Sequence, residues 1–299
     1  MNIQMAYLMG MIIGNGQIKR GKTNTSVSIS IPHRTQYADA TQDVQKAVRE
    51  SIANMKKILQ PIVGAPITDT QSKGETKLYF YNENDNYVMS EIVRLCNGED
   101  SCETMRIPEY FFKSASTDEI KSFLRGLADV TAHVRKSNYF ISKENQQHRV
   151  FIEVPHNWFL VVDICNLLKK VDVPVQNIDW AHPNIRDGNL TKYNQGYPNF
   201  WKKEHQIKIF ANEFKAIGFN SIHKKEGLDE MVHLLESTYM RQHGRPASTF
   251  THKFYWEGQE RLKEKPHHPG ENDQFIPEII RGRHFNSWKE IAKALGYKK

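Results

Sequence analysis

Cysteine is scarce in this chain of 299 residues: there are three, Cys96, Cys102 and Cys165. That number leaves at least one thiol unpaired, and no Cys-x-x-Cys occurs. Neither a disulfide framework nor a cysteine-rich zinc site is therefore encoded, and a reducing, intracellular setting is expected. Long apolar runs are missing as well. Met5–Ile13 is apolar but has no basic flank and no small-residue cleavage site, so no signal peptide is expected. Trp158–Leu168 is interrupted by Asp163 and Asn166 and is too short to span a bilayer, which excludes a membrane partner at this stage. What is not missing is apolar content. At 39% hydrophobic residues the chain has enough for a buried core, so wholesale disorder is excluded.

Charge is present in excess of one sign, +7 overall with a pI near 9.1, which favours a polyanionic partner. The length suits two domains, or one pseudo-symmetric domain with an appendage. Two segments read almost alike: Tyr7-Leu8-Met9-Gly10-Met11-Ile12-Ile13-Gly14-Asn15-Gly16 and Phe123-Leu124-Arg125-Gly126-Leu127-Ala128-Asp129-Val130-Thr131-Ala132. Each begins aromatic-Leu-x-Gly, has an apolar middle, and reaches a position where the chain leaves the helix. Gly10 and Gly14 are four residues apart and share a helix face, which lets a partner helix approach closely. A helix-interior glycine costs about 1 kcal/mol, so two on one face call for a packing reason. The matching Gly126 points to helix-on-helix contact between two halves of the chain, with Asn15 and Thr131 brought to one shared location.

The elements after each motif repeat in order. Strands are expected at Gln17–Arg20 and Ser26–Pro32, where Val27, Ile29 and Ile31 alternate with Ser28 and Ser30. A helix over Asp43–Gln60 follows, then a strand at Lys77–Tyr81 and a helix over Asn84–Leu95. In the second half a helix spans Thr117–Thr131, with strands at His133–Ser137 and Arg149–Val154. A helix over Asn157–Lys170, a strand at Gln206–Phe210, and helical segments through Phe214 and over Gly227–Leu235 complete it. Each half reads α-β-β-α-β-β-α, with its third strand weakly marked before Lys77 and near Val175–Trp180.

These motifs resemble the LAGLIDADG homing endonucleases of the single-chain, two-motif kind. The likeness extends to Ile107-Pro108-Glu109-Tyr110-Phe111-Phe112-Lys113 ahead of the second motif. It also takes in Gln206-Ile207-Lys208-Ile209-Phe210 with Phe214 and Ile217-Gly218-Phe219. The resemblance implies an α+β fold, two pseudo-symmetric αββαββα repeats forming a β-saddle, at residues 1–115 and 116–238. A small, mostly helical, basic extension follows at 239–299. It further implies a monomer that lays its β-ribbons in the major groove of double-stranded DNA. The ribbons here are Gln17–Pro32 and His133–Val154. Lys19, Arg20, Lys22, Asn24 and Ser28 are the DNA-binding candidates of the first ribbon. Arg135, Lys136, Asn138, Lys143, Gln146, Gln147 and Arg149 are those of the second, with Lys208 beside them. Arg and Lys suit guanine or phosphate, and Asn and Gln suit adenine.

The sequence departs from that family at the catalytic positions. There, the residue before the final position of each motif is an acid that holds a divalent metal beside the scissile phosphates, because Mg2+ takes hard anionic oxygens. Here Asn15 and Thr131 stand at those places, both neutral. Asp129 is retained two residues earlier, about 200° around the helix, and the resemblance gives it a structural role. The expectation is a sequence-specific DNA-binding protein whose usual metal-dependent cleavage is lost, with no cofactor unless Mg2+ serves a surviving activity. Two alternatives stay open. One is an active site-specific endonuclease, hydrolysing phosphodiesters with relocated chemistry among Asp129, His133, Glu153, His205 and Lys208. The other is an RNA-splicing maturase, since basic ribbons do not separate RNA from DNA.

The extension holds most of the charge excess: residues 239–299 carry 12 Lys and Arg against 7 Asp and Glu. Ser287-Trp288-Lys289-Glu290 has the form of a capping box opening a helix that Gly296 closes. That helix resembles one half of a helix-turn-helix packed behind Ile276–Ile280. His267, His268 and His284 lack metal-ligand spacing and read as loop.

Overall fold

The structure is a computed structural model that describes residues 1–33, 42–72, 74–135, 148–154, 157–175, 177–179, 205–243, 279–280 and 283–284. The first motif is the helix α1, Ile3–Asn15, whose Asn2 side chain accepts the Met5 amide at 2.6 Å and so satisfies one of the free donors of the first turn. Every residue from Met5 to Gly14 is buried, so α1 is a core helix on all sides. It passes directly into β1, Gly16–Arg20, and the tight turn at Gly21 returns the chain in β2, Asn24–Pro32. The helix α2, Gln42–Val63, follows, then β3, Thr68–Gln71, and β4, Glu75–Glu83. These strands form an antiparallel sheet in the order β1-β2-β4-β3. Its inner face (Ile18, Val27, Ile29, Ile31, Leu78, Phe80) is buried together with α1 and with Val48, Ile52, Met55 and Leu59 of α2.

The helices α3, Tyr87–Leu95, and α4, Glu109–Lys113, lead to the second motif helix α5, Thr117–Thr131. Its start is a full capping box: Ser116 accepts the Glu119 amide while the Glu119 carboxylate accepts the Ser116 amide. Then come β5, Ala132–Arg135, β6, Arg149–Val154, α6, Trp158–Lys170, β7, Asn177–Asp179, and β8, His205–Phe210. The second sheet has the order β5-β6-β8-β7, the same permutation as the first. The short α7, Ala211–Phe214, and α8, Ile222–His243, close this part. The weakly marked third strands are therefore β3 and β7, each antiparallel to the strand that follows it.

Two compact units divide the described chain: Met1–Val134 with Lys215–Glu230, and Arg135–Phe214 with Met231–Lys299. The first contains both motif helices. In the second, Val150, Ile152, Val154, Ile207 and Ile209 form a buried sheet face, and Leu160, Val161, Ile164, Cys165 and Leu168 of α6 are buried with them. Two sequence expectations need correction. The helix read over Gly227–Leu235 runs from Ile222 to His243 without a break at Gly227. His284, read as loop, stands with Arg283 in a strand that pairs antiparallel with Ile279 and Ile280 in a small two-stranded sheet. The helix expected from Ser287 lies outside the described residues. Among the described residues no helix is long and apolar enough to cross a membrane.

Candidate functional site: paired helix ends and two sheet faces

The motif helices touch backbone to backbone, and the contact is reciprocal. A Cβ at Gly10 would stand 2.0 Å from the Phe123 carbonyl oxygen, and one at Gly126 would stand 2.1 Å from the Tyr7 carbonyl oxygen. Tyr7 and Phe123 occupy the same motif position, as do Gly10 and Gly126, so the pair has the self-complementary form of a two-fold contact. Further along, a Cβ at Gly14 would meet the Val130 and Thr131 methyl groups at 2.8 and 3.2 Å. The ends of α1 and α5 consequently lie side by side. Both exit the helix the same way, Gly16 at φ −105°, ψ 162° and Ala132 at φ −101°, ψ 157°.

Both residues at the family's acid positions are already engaged within the protein. Asn15 donates its side-chain amide to the Ser30 carbonyl of β2 at 2.9 Å, a bond that a carboxylate cannot make. Thr131 turns its hydroxyl back to the Leu127 carbonyl at 2.7 Å. Asp129 is fully buried and accepts the Tyr7 hydroxyl (2.8 Å) and the amides of Asn220 (3.1 Å) and Ser221 (3.0 Å). Burial pushes its carboxyl above the usual range, against the Lys224 ammonium and those three donors. Lys224 is buried as well and caps the end of α5 by donating to the Asp129 and Ala128 carbonyls at 2.7 and 3.3 Å. Divalent ions of the Mg2+ kind need a set of available hard oxygens, and this donor set does not fit them. Its one acid is enclosed with its oxygens occupied, and its two neutral groups offer only an amide oxygen at Asn15 and a hydroxyl at Thr131 in place of carboxylates. Among the described residues no cluster of three or more His, Cys, Asp or Glu is placed to hold a metal.

The first sheet turns one face outward. Gln17 and Lys19 of β1, Ser26, Ser28 and Ser30 of β2, and Lys77, Tyr79 and Tyr81 of β4 share it, exposed or half-exposed, while their alternating neighbours are buried. Lys19, Lys22 and Asn24 stand exposed at the hairpin end. Arg20 does not stand free with them. Its guanidinium donates to the Gly98 carbonyl and pairs with Asp100 at 3.1 Å, fastening the edge of β1 to the loop that follows α3. Of this face, Gln17, Ser26, Ser30, Lys77, Tyr79 and Tyr81 are absent from the sequence candidates. The alternation of Leu78 and Phe80 with Lys77, Tyr79 and Tyr81 is the signal that places the last three there, and that of Val27, Ile29 and Ile31 with the serines places the β2 residues.

The second sheet's outward residues are organised around an aromatic ring. Phe151 has the Arg135 guanidinium 5.6 Å from its centroid and the Lys208 ammonium 5.7 Å from it. Arg135 also pairs with Glu153 at 3.7 Å, and Glu153 accepts the Gln206 amide at 3.2 Å. Arg149 lies over Phe210 at 5.7 Å. Lys136, Asn138, Lys143, Gln146 and Gln147 lie outside the described residues. Among the candidates for relocated chemistry, His205 is fully buried, His133 is half-buried in β5, Glu153 is held by Arg135 and Gln206, and Lys208 faces Phe151.

One further polar cluster escapes sequence reading because its members are far apart in the chain. His223 Nδ1 lies 2.9 Å from the Ser51 hydroxyl and 3.1 Å from that of Ser221. Burial, with the Lys224 and His33 charges, lowers the imidazole to about 3, so it is neutral at physiological pH. Asn54 donates to the Asn220 carbonyl at 3.0 Å, so α2 is joined to the same loop that Asp129 anchors.

No protein-family model matches this chain, and no curated protein matches it. The structural neighbours are LAGLIDADG homing endonucleases at low identity. I-DmoI in complex with DNA and Mn is similar at 13% identity and a TM-score of 0.38, over 74% of this chain and 97% of that one. The homing endonuclease I-WcaI bound to its DNA recognition sequence is similar at 14% identity and a TM-score of 0.42, over 76% and 85%. Full-length DUF199/WhiA from Thermatoga maritima is similar at 13% identity and a TM-score of 0.43, over 88% and 68%.

Proposed function

We propose that this chain is an intracellular, sequence-specific double-stranded DNA-binding protein on a LAGLIDADG scaffold, acting as a monomer, with the metal-dependent cleavage of that scaffold lost. The observation that carries the loss of cleavage is the fate of the two acid positions. Asn15 and Thr131 are neutral and bonded to Ser30 and Leu127, and Asp129 is enclosed. DNA binding is supported by the twice-repeated element order, by the outward sheet residues able to meet base edges and phosphates, and by the net charge of +7. Removing two carboxylates from a site beside the DNA backbone also removes repulsion, so binding survives the loss of chemistry.

Selection of bound sequences from a random duplex pool, with and without Mg2+, tests this. A defined set of duplexes recovered intact under both conditions is the expected result. Mg2+-dependent cutting of both strands by the unaltered chain would overturn the loss of cleavage, and recovery of no duplex would overturn DNA binding. The double variant Asn15→Asp with Thr131→Asp returns carboxylates to the helix ends, and nicking or cleavage of the selected duplex is expected of it alone.

A further inference from the structure

Large apolar side chains stand exposed at four places among the described residues, and two of these are neighbours on one sheet face. Tyr79 is 42% exposed and Tyr81 56%, with ring centroids 6.2 Å apart. The register builds a shallow trough beside them. Ser28 separates Tyr79 from Gln17, Ser26 separates Tyr81 from Lys19, and Thr68 flanks Tyr79 on the other side. Serines lie low on the pleat, so the two rings rise above the floor of β2. The row Gln17–Ser28–Tyr79–Thr68 carries no charge. Cations flank that row: Lys19 shares the next row with Ser26 and Tyr81, Lys22 stands at the hairpin, and Lys77 lies on the other side, bridged to Glu75 at 3.3 Å, with Glu83 opposite Asn24.

We propose that Tyr79 and Tyr81 are specificity-determining residues, and that this face reads thymine methyl groups in an A·T-rich half of the DNA site. The proposal rests on the DNA-binding reading above and deepens it. An uncharged row has nothing to neutralise a phosphate with, so its use is at base edges, where the flanking cations hold the backbone. The thymine C5-methyl is the apolar group displayed in the major groove, and a tyrosine ring offers an apolar body to meet it. Gln17 on the same row has the paired donor and acceptor that fit adenine. Guanine is read by arginine or lysine; the arginine of this hairpin, Arg20, is tied down by Gly98 and Asp100, and the lysines of the face lie outside the Tyr79 row. The ring spacing of 6.2 Å is close to two base-pair steps, about 6.8 Å, so the rings fall on alternate pairs. On the second sheet the corresponding opportunity is closed, because Arg135 and Lys208 both lie against Phe151.

Selection from a random duplex pool with the full chain is expected to give a site with one A·T-rich half. Replacing thymine by deoxyuridine in that half removes only the methyl groups, and should weaken binding about fourfold for each contacted methyl. The same replacement in the other half should leave affinity unchanged. Tyr79→Ala and Tyr81→Ala are expected to bind more weakly and to lose the response to deoxyuridine. Tyr81→Thr, which keeps a strand-favouring residue, repeats the test if an alanine variant does not fold. A selected site without an A·T-rich half, or a deoxyuridine response equal in wild type and tyrosine variants, would overturn the proposal while leaving DNA binding intact. Tighter binding to single strands or RNA than to duplex would overturn the duplex-DNA reading and this proposal with it. If no duplex is bound at all, the DNA-binding reading fails and this proposal fails with it.

Discussion

At the end of α1 an amide reaches across to β2, and at the end of α5 a hydroxyl folds back on its own helix. Two residues earlier in the motif the contrast is sharper: Ile13 is apolar, while its counterpart Asp129 anchors the loop at Asn220 and Ser221 and takes the Tyr7 hydroxyl. The sheet faces diverge too: exposed tyrosines with lysines to either side of an uncharged row in the first unit, and cations against a phenylalanine in the second. What stays equal between the repeats is backbone geometry: glycines at Gly10 and Gly126, matching helix exits, and matching strand order. The lesson is that a reciprocal backbone contact constrains both copies at once, whereas a side chain answers only to its own neighbours and is free to diverge.

The symmetric part of that comparison is the most fragile. Gly10→Ala and Gly126→Ala would each drive a Cβ into a backbone oxygen near 2 Å, which only separation of the helices relieves. Each is expected to cost at least about 3 kcal/mol, read as a fall in the urea midpoint or failure to recover folded protein. Gly14→Ala meets a side-chain methyl of Val130 at 2.8 Å, where Gly10→Ala meets a backbone oxygen at 2.0 Å, and should cost less, about 1–2 kcal/mol. Equal costs at Gly10 and Gly14 would show that close backbone approach is not what holds the pair.

Asp129 tests the divergent part. Asp129→Asn keeps the shape but gives the site an NH2 where three donors converge, and leaves Lys224 without its buried counter-charge. A loss of about 3 kcal/mol is expected in denaturant unfolding. Ile13→Val at the matching position removes one methylene and should cost about 1 kcal/mol. A double-mutant cycle of Asp129→Asn with Tyr7→Phe should show coupling, since the two share a bond between motif helices. Additivity would mean the bond contributes nothing.

How far the sequence discloses this arrangement depends on how local each cause is. The alternation of Val27, Ile29 and Ile31 with serines marks β2 directly, and the capping box at Ser116 marks the start of α5. By contrast all four residues of β3 are exposed, so no buried alternation betrays it; pairing with β4 alone makes it a strand. The same holds at the site. Asn15 and Thr131 are visible as missing charges, but where their polar atoms go depends on β2 passing beside the helix end. Tyr7, Asp129 and Ser221 meet only after most of the chain has folded. Tyr79 and Tyr81 are different: the pattern at Lys77–Tyr81 already turns them outward, and only attention to charge at the expense of aromatic surface hides them.

The smallest expected effects separate two adjacent cations on β1. Lys19 is exposed beside Ser26, whereas Arg20 is fastened to Gly98 and Asp100. If Lys19 meets a phosphate, Lys19→Ala should lower the slope of log affinity against log salt by about 0.9 and weaken binding equally for all sequences. Arg20→Ala should leave that slope unchanged and instead loosen the edge of β1, at a cost of no more than about 1 kcal/mol because the pair is solvent-screened. Salt titrations of both variants on one selected duplex, with thermal melts alongside, separate the two roles. A slope change at Arg20 equal to that at Lys19 would mean that the Asp100 pair opens on DNA, and Arg20 would then count with Lys19 among the phosphate-binding cations of the first sheet.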